Sequence, residues 1–84
     1  MLNRTAQPKI IVYCTPWCPD CRKARQYLDQ LGLQAEWTDI SKDRAAEKRV
    51  RDLGHGRVIT PTFDIDGTVI LDFDRQKLEQ VLGR

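Results

Sequence analysis

The chain has 84 residues, of which 40% are apolar and 31% are charged, and its formal net charge at pH 7 is +2. This length and composition are typical of one small domain that folds around its own core. The small net charge, with basic and acidic residues interleaved, argues against a nucleic-acid-binding protein. No segment approaches the roughly 20 consecutive apolar residues that a membrane span needs, so we expect neither nucleic acid nor a membrane as a partner.

The N-terminal segment and the cysteine count bear on the cellular compartment. Residues 1–9 contain no apolar stretch of the kind a signal peptide requires, and we expect residues 1–8 to be disordered ahead of one domain of residues 9–84. The three cysteines, two of them close together, differ from the even, widely spread set of a secreted disulfide framework. We therefore predict a cytoplasmic protein, where close cysteines are more often catalytic or metal-binding than structural.

The first half of the chain predicts two strands that alternate with two helices. Residues 9–14 form a continuous apolar run rich in β-branched residues, which is typical of a strand covered on both faces. Residues 21–31 carry apolar residues at helical spacing and predict the first helix. A second strand is expected over residues 34–40. A second helix follows, with Ser41 as its N-cap and an end at the glycines on either side of His55, which we interpret as a turn residue.

The second half predicts a hairpin and a final helix. Residues 62–65 and 68–71 are expected strands, joined by the Asp-Gly turn dipeptide at 66–67. Asp72 or Asp74 is expected to cap the last helix. The residues expected to be buried at this end are Phe73, Leu78, Val81 and Leu82. The order β-α-β-α-β-β-α predicts an α/β fold in which a four-stranded mixed sheet, with its first two strands parallel, is flanked by helices.

A Cys-x-x-Cys motif lies where the first strand passes into the first helix. At this corner, backbone N–H groups and the positive end of the helix dipole favour the thiolate of Cys18. Cys21 lies about one turn further along the helix, within reach of Cys18 to close a disulfide. A thiol–disulfide oxidoreductase requires these two features, so we predict Cys18 and Cys21 as catalytic residues.

The third cysteine leaves alternatives open. Cys14 is either a small buried residue at a strand end, or a third thiol that traps or regulates the active-site disulfide. A module that binds zinc or an iron–sulfur cluster through the same thiols is the alternative function. Zinc would need two further ligands, for which Cys14 and His55 are the candidates of the usual kind, at a spacing that matches no standard finger. We therefore expect no metal.

Two motifs resemble those of the glutaredoxin family, a branch of the thioredoxin fold. Residues 15–21 (Thr-Pro-Trp-Cys-Pro-Asp-Cys) are similar to the family's active site, and residues 60–63 (Thr-Pro-Thr-Phe) are similar to its cis-proline segment. The resemblance covers residues 9–83. It implies a redox-active dithiol enzyme that reduces protein disulfides or glutathione mixed disulfides, in electron transport and cell redox homeostasis.

The resemblance also implies a role for each matching residue. Cys18 corresponds to the nucleophile and Cys21 to the resolving cysteine. Pro61 corresponds to the cis-proline that faces the dithiol, and Thr60 to the residue whose backbone pairs with a bound peptide or with glutathione. Trp17, which flanks the nucleophile, is expected either to contact the substrate or to cover the first helix.

The chain departs from the family pattern where glutathione is bound. Thr15 stands where glutathione-using members usually carry a lysine, and residues 70–74 (Ile-Leu-Asp-Phe-Asp) lack the Gly-Gly that precedes a binding aspartate. We match that aspartate to Asp74 and include Thr15 among the candidate binding residues. These departures favour the redoxins that thioredoxin reductase reduces, some of which supply electrons to ribonucleotide reductase. We expect a monomer with protein disulfides as substrates, no tightly bound cofactor, and glutathione as a candidate co-substrate.

Overall fold

Seven elements follow one another in the predicted order in the computed structural model, which describes residues 7–83. The strands are β1 (Ile10–Cys14), β2 (Glu36–Asp39), β3 (Thr62–Ile65) and β4 (Thr68–Leu71), and the helices are α1 (Pro19–Gln30), α2 (Arg44–Leu53) and α3 (Arg75–Leu82). The strands form one sheet in the order β2-β1-β3-β4. β1 is parallel to β2 and antiparallel to β3, and β3 is antiparallel to β4. The predicted α/β fold with a mixed sheet is confirmed.

The central strand β1 is covered on both faces, which explains its continuous apolar sequence. Side chains of a strand point alternately to opposite faces. Val12 and Cys14 belong to the larger apolar cluster, which includes residues of α1 and α3. Tyr13 belongs to a second cluster on the opposite face, with Val50 of α2. The fold therefore has α1 and α3 on one side of the sheet and α2 on the other.

Aspartates begin the second and third helices. The Asp43 carboxylate accepts a hydrogen bond (3.0 Å) from the backbone N–H three residues on, and Asp74 does the same at 3.2 Å. The expectation that Ser41 caps α2 is wrong. The N–H and hydroxyl of Ser41 both donate to the Asp39 carboxylate within the turn after β2, which leaves Ser41 two residues ahead of Asp43, the N-cap of α2.

The last helix buries a narrower stripe than the sequence predicts. Leu78 is fully buried, Phe73 and Leu82 pack partly buried against the larger cluster, and Val81 is 38% exposed. The prediction that Val81 is buried is wrong, because α3 covers the edge of the sheet and only the Leu78–Leu82 row faces the strands. Within residues 7–83, no helix combines the length and apolar character needed to cross a membrane.

The chain just before β1 is held against the segment that leads into β2. The Gln7 side-chain amide donates to the Gln34 carbonyl at 2.8 Å, and the Gln34 N–H donates to Oε1 of Gln7 at 2.9 Å. Of the segment 1–8 that we expected to be disordered, residues 1–6 lie outside the described residues. Gln7 is thus hydrogen-bonded to the domain.

Candidate active site

Cys18 is the N-cap residue of α1. Its backbone is extended (φ −86°, ψ 116°), and Pro19 follows as the first helical residue. Proline suits this position because its missing N–H would have no helical partner there and its fixed φ is already helical. The Cys21 N–H donates to the Cys18 carbonyl at 3.2 Å and closes the first turn. The helix therefore starts two residues before the predicted start, and Cys18 lies at its N-terminus as expected.

The thiol of Cys18 faces the segment that precedes β3. Sγ of Cys18 lies 3.4 Å from the Thr60 hydroxyl, from which it accepts a hydrogen bond, and 3.6 Å from the Thr60 carbonyl, to which it donates. The peptide bond between Thr60 and Pro61 is cis. Because Tyr13 pairs with Thr62 across β1 and β3, the register places this segment beside the end of β1. The structure thus brings Cys18, Thr60 and cis-Pro61 together, as the resemblance implied.

The loop between β4 and α3 lies on the proline side of this site. The Asp72 N–H donates to the Pro61 carbonyl at 2.8 Å, which extends the pairing of β3 with β4. Asp72 adopts a left-handed backbone conformation (φ 68°), and the chain then turns into α3. Asp74 belongs to this loop, but its carboxylate caps α3. The candidate binding residue Asp74 therefore also holds a helix start.

The structure contains a disulfide between Cys14 and Cys21, with their Cα atoms 6.1 Å apart. Cys18, half-buried, is the free cysteine of the described residues. The sequence predicts Cys18 and Cys21 as the disulfide-forming pair, and the structure differs because Cys14 ends β1 on the face that packs against α1. Cys21 points back from the first turn of α1 into the same cluster. Cys14 is therefore a buried residue at a strand end and is bonded to Cys21, while its role as a trapping or regulatory thiol stays a prediction.

A cleft of about 340 Å³ runs between the start of α1 and the ends of β1 and β2. All three cysteines line it, together with Arg22 and Arg25 from one face of α1. The Arg25 guanidinium lies 4.2 Å from the centre of the Trp37 ring, in a cation–π arrangement. The cleft therefore combines sulfur atoms with two cationic side chains.

Sequence reasoning missed Trp37 as a residue of the site. Trp37 is partly buried and forms a wall of the cleft. Its pairing with Val12 on the parallel strand β1 brings it to the same sheet edge as Cys14. Parallel pairing of the first two strands, which the sequence did predict, was the available signal. Residues at the carboxyl end of β2 had to lie beside those that follow β1.

Two further residues that the sequence predicts for substrate binding, Trp17 and Thr15, lie close to Cys18 in the chain. Trp17 is 69% exposed, which argues against the interpretation that its indole covers α1. The other interpretation, that Trp17 contacts the substrate, stays a prediction. Thr15 lines the cleft, and its carbonyl accepts the Cys18 N–H at 3.3 Å. Thr15 thus shapes the turn that leads into Cys18.

The alternative function, in which the thiols bind a metal, would require a change in the cysteines as this structure has them. Between Gln7 and Gly83, no three or more His, Cys, Asp or Glu side chains are grouped so that they could hold a metal ion. His55 adopts a left-handed conformation (φ 56°) in the loop after α2, as a turn residue does. Thiolate ligation by Cys14 or Cys21 would first require reduction of the bond between them.

Comparison with known proteins agrees with this architecture. The sequence model of the glutaredoxin family matches residues 10–70. Mycoredoxin 1 of Corynebacterium glutamicum is 35% identical over 60 residues, which cover 70% of this chain and 73% of that protein. An uncharacterized glutaredoxin-like 8.6 kDa protein in the rubredoxin operon of Clostridium pasteurianum is 26% identical over 75 residues, with coverage of 89% and 99%. The crystal structure of the thioredoxin-like protein BC3987 matches with a TM-score of 0.77 at 38% identity, covering 88% of this chain and 100% of that one.

The family match and the site geometry lead to the same assignment. The match spans β1 to β4 and includes all three cysteines and the cis-proline. A bonded pair of cysteines beside a free one at a helix N-terminus supports a role in thiol redox chemistry. This chain belongs to the glutaredoxin family.

Proposed function

We propose that the protein is a thiol–disulfide oxidoreductase in which Cys18 is the nucleophile and Cys21 the resolving cysteine. The observation that carries this proposal is the position of Cys18. Cys18 is the N-cap residue of α1, and its free thiol contacts Thr60, the residue that precedes cis-Pro61. The thiol thus lies at the start of α1 with the Thr60 hydroxyl donating a hydrogen bond to its sulfur, and thiol–disulfide exchange begins with attack by such a thiol in its thiolate form.

The reaction consists of two thiol–disulfide exchanges. The Cys18 thiolate attacks one sulfur of a substrate disulfide, so that a mixed disulfide forms and the other substrate sulfur leaves as a thiolate. The Cys21 thiolate then attacks Sγ of Cys18 and releases the second substrate thiolate. The substrate gains two electrons and takes two protons from solvent, and the protein is left with a Cys18–Cys21 disulfide. Cys21 must enter this cycle as a thiol, free of Cys14.

Residues around Cys18 are proposed to bind the substrate. Trp17 presents a large apolar surface next to the nucleophile, which suits contact with a protein substrate. Thr60 and Pro61 lie against the attacking sulfur, where an extended substrate backbone would pair with Thr60. Thr15 and Asp74 are the corresponding candidates if the substrate carries glutathione.

Thioredoxin reductase is proposed as the main electron donor, with glutathione as the weaker one. Thr15 offers no cationic amine for a glutathione carboxylate, and the Asp74 carboxylate is engaged with the N-terminus of α3. The proposal places the protein in the cytoplasm as a monomer acting on protein disulfides. It involves no tightly bound cofactor.

The test compares the two donors during turnover. Wild-type protein is given a protein disulfide or a glutathione mixed disulfide, and NADPH consumption is followed with thioredoxin reductase or with glutathione and glutathione reductase. We expect faster turnover with thioredoxin reductase. Cys18→Ser should lower turnover at least about 100-fold with both donors, because exchange requires the thiolate.

A second variant tests the basis of donor choice. Thr15→Lys restores the amine that glutathione-using family members carry, so it should raise the rate with glutathione relative to the rate with thioredoxin reductase. Thr15→Ser, which adds no charge, is the matched control. Residual turnover by Cys18→Ser near the wild-type rate would overturn the proposed function. Faster turnover of the wild type with glutathione would overturn only the donor assignment.

A further inference from the structure

Cys21 has two cysteines within reach. On one side, Cys14 is bonded to it, and the 6.1 Å between the two Cα atoms lies within the range of about 4.4–6.8 Å found for disulfides. On the other side, Cys18 is the N-cap residue three positions earlier. The Cys21 N–H donates to the Cys18 carbonyl at 3.2 Å, which closes a turn that brings the two residues together. Cys21 can therefore bond with either partner.

The backbone of Cys14 is firmly held. It ends β1, pairs with Asp39 of β2, and its carbonyl accepts the Ile40 N–H at 3.0 Å. A thiol on a central strand has little freedom to search for a partner, so its closeness to Cys21 is a property of the fold. All three cysteines line the same cleft.

We propose that Cys14 is a third redox-active thiol, which takes the disulfide over from Cys18 and frees that nucleophile while the protein is still oxidised. This inference rests on the proposed function, because it begins with the Cys18–Cys21 disulfide that substrate reduction leaves. The Cys14 thiolate attacks Sγ of Cys21. The Cys14–Cys21 bond forms, the Cys18–Cys21 bond breaks, and Cys18 leaves as a thiolate. One thiol proton passes to solvent from Cys14 and one is available to Cys18, and the protein neither gains nor loses electrons.

The oxidised protein then retains a working nucleophile. Cys18 is free and faces Thr60, as it does in the structure. It attacks a second disulfide and forms a mixed disulfide, which Cys21 cannot resolve while Cys14 holds it. A low-molecular-weight thiolate must attack Sγ of Cys18 in this mixed disulfide and release the second substrate as a thiolate. A second such thiolate then attacks the small-molecule sulfur bonded to Cys18, so that the two small thiols leave as a disulfide and Cys18 is free again. The same chain thus works with two thiols when reduced and with one thiol when oxidised.

The test locates the disulfide in the oxidised protein. Reduced wild type, Cys14→Ser and Cys18→Ser are each treated with one equivalent of diamide, held at neutral pH for exchange, acidified, and alkylated with N-ethylmaleimide. Trypsin releases residues 10–22, which contain all three cysteines. Chymotryptic cleavage after Trp17 and Asp-N cleavage before Asp20 then place each cysteine on a separate fragment, and mass spectrometry identifies the linked pair.

In the wild type, we expect most of the oxidised protein to have Cys14 linked to Cys21 and the maleimide on Cys18. A majority with Cys18 linked to Cys21 and the maleimide on Cys14 would overturn the inference. Oxidised Cys18→Ser should take up no maleimide because its two remaining thiols are bonded. Uptake of two maleimides by this oxidised variant would also overturn the inference, because it would show that Cys14 and Cys21 are not bonded.

The remaining variant separates this inference from the proposed function. Cys14→Ser should close the Cys18–Cys21 disulfide, so its oxidised form should accept no label from a labelled mixed disulfide. The oxidised wild type should accept one label, on Cys18. Failure of Cys14→Ser to close a disulfide would contradict the dithiol step of the proposed function and, with it, the exchange. If only Cys18→Ser fails to form its disulfide, between Cys14 and Cys21, the proposed exchange is overturned and the dithiol step of the proposed function stands.

Discussion

The three cysteines have the same side chain and three different environments. Cys14 is buried at the end of a central strand, Cys21 is buried in the first turn of α1, and Cys18 is half-buried at the N-cap. Only Cys18 combines access from solvent with the dipoles of a helix N-terminus. Position in the fold is therefore the basis on which Cys18 is proposed as the nucleophile, and it places Cys14 and Cys21 in the disulfide.

Tyr27 is a second residue whose surroundings determine its behaviour. Its ring packs against Phe73 edge to face, with centroids 5.9 Å apart, and the Arg75 guanidinium lies 5.3 Å from the ring centre. Its hydroxyl oxygen is buried, and no group within the described part of the chain hydrogen-bonds to it. Burial raises the pKa of Tyr27, the Glu79 carboxylate adds to the rise, and Arg75 opposes it.

Tyr27→Phe should leave stability at neutral pH within about 1 kcal/mol of wild type, or raise it, because a buried hydroxyl without a partner costs free energy. The folded pKa of Tyr27 is above the unfolded value of about 10, so its contribution to stability is present below that pH. This contribution is lost as pH rises through the folded pKa. Urea unfolding at neutral and alkaline pH should show a steeper alkaline loss in the wild type than in the variant. A neutral-pH loss above about 2 kcal/mol would show that the hydroxyl has a partner.

At the scale of single elements, the N-termini of the helices position residues of the candidate site. α1 begins with Pro19 directly after Cys18, so the proposed nucleophile occupies the N-cap position of α1. α2 and α3 begin after Asp43 and Asp74, whose carboxylates satisfy helical N–H groups. The cap of α3 also anchors the loop beside Pro61. Helix capping and site geometry are therefore coupled at α1 and α3 but independent at α2.

The cap of α2 can be tested without disturbing the site. Asp43→Ala should lower the free energy of unfolding by about 1 kcal/mol, because it removes the acceptor for the Ala46 N–H. Asp43→Asn, which keeps a side-chain oxygen, should lose less. Ser41→Ala should change stability by less than about 0.5 kcal/mol. Guanidinium titrations of the three variants measure these differences, and a larger loss for Ser41→Ala than for Asp43→Ala would mean that Ser41 is the cap.

At the scale of the whole molecule, the sheet brings four distant segments to one edge. The ends of β1 and β2 meet there because those strands are parallel, and the segment that precedes β3 arrives at the same edge because β3 is antiparallel to β1. α1 starts at this edge with Cys18. The active site is therefore a product of strand order, and its rigidity depends on the packing of helices on both faces.

The packing of α2 and α3 can be compared with the same side chain, because each helix carries a valine. Val50 of α2 is fully buried, whereas Val81 of α3, which the sequence predicts to be buried, is 38% exposed. Val50→Ala should cost about 2 kcal/mol and lower Tm by roughly 10 °C. Val81→Ala should cost less than about 0.5 kcal/mol. Calorimetry of the two variants measures the difference, and equal losses would contradict the exposure of Val81.

Some elements were predictable at the level of single residues. β3 and β4 begin and end where the sequence places them, because Pro61 and the Asp-Gly dipeptide at 66–67 are strong local signals for strand ends. The start of α1 was predicted two residues late, because a helix can begin at a proline. The α2 cap was misassigned because Ser41 and Asp43 are both good N-caps, and the choice depends on the Asp39 carboxylate accepting from Ser41.

The sequence by itself determined the fold class, the parallel pairing of β1 with β2, the hairpin of β3 and β4, and the location of the Cys-x-x-Cys motif, because apolar periodicity, turn residues and motif spacing are local properties of the chain. The antiparallel pairing of β1 with β3 came from the structure. The sequence also located Thr60 and Pro61 through their likeness to a known motif. Only the tertiary structure decided that Cys14 meets Cys21, that Trp37 forms a wall of the cleft and that Trp17 is exposed. These contacts depend on how α1 packs across β1, and helix packing is set by the combined shape of many side chains.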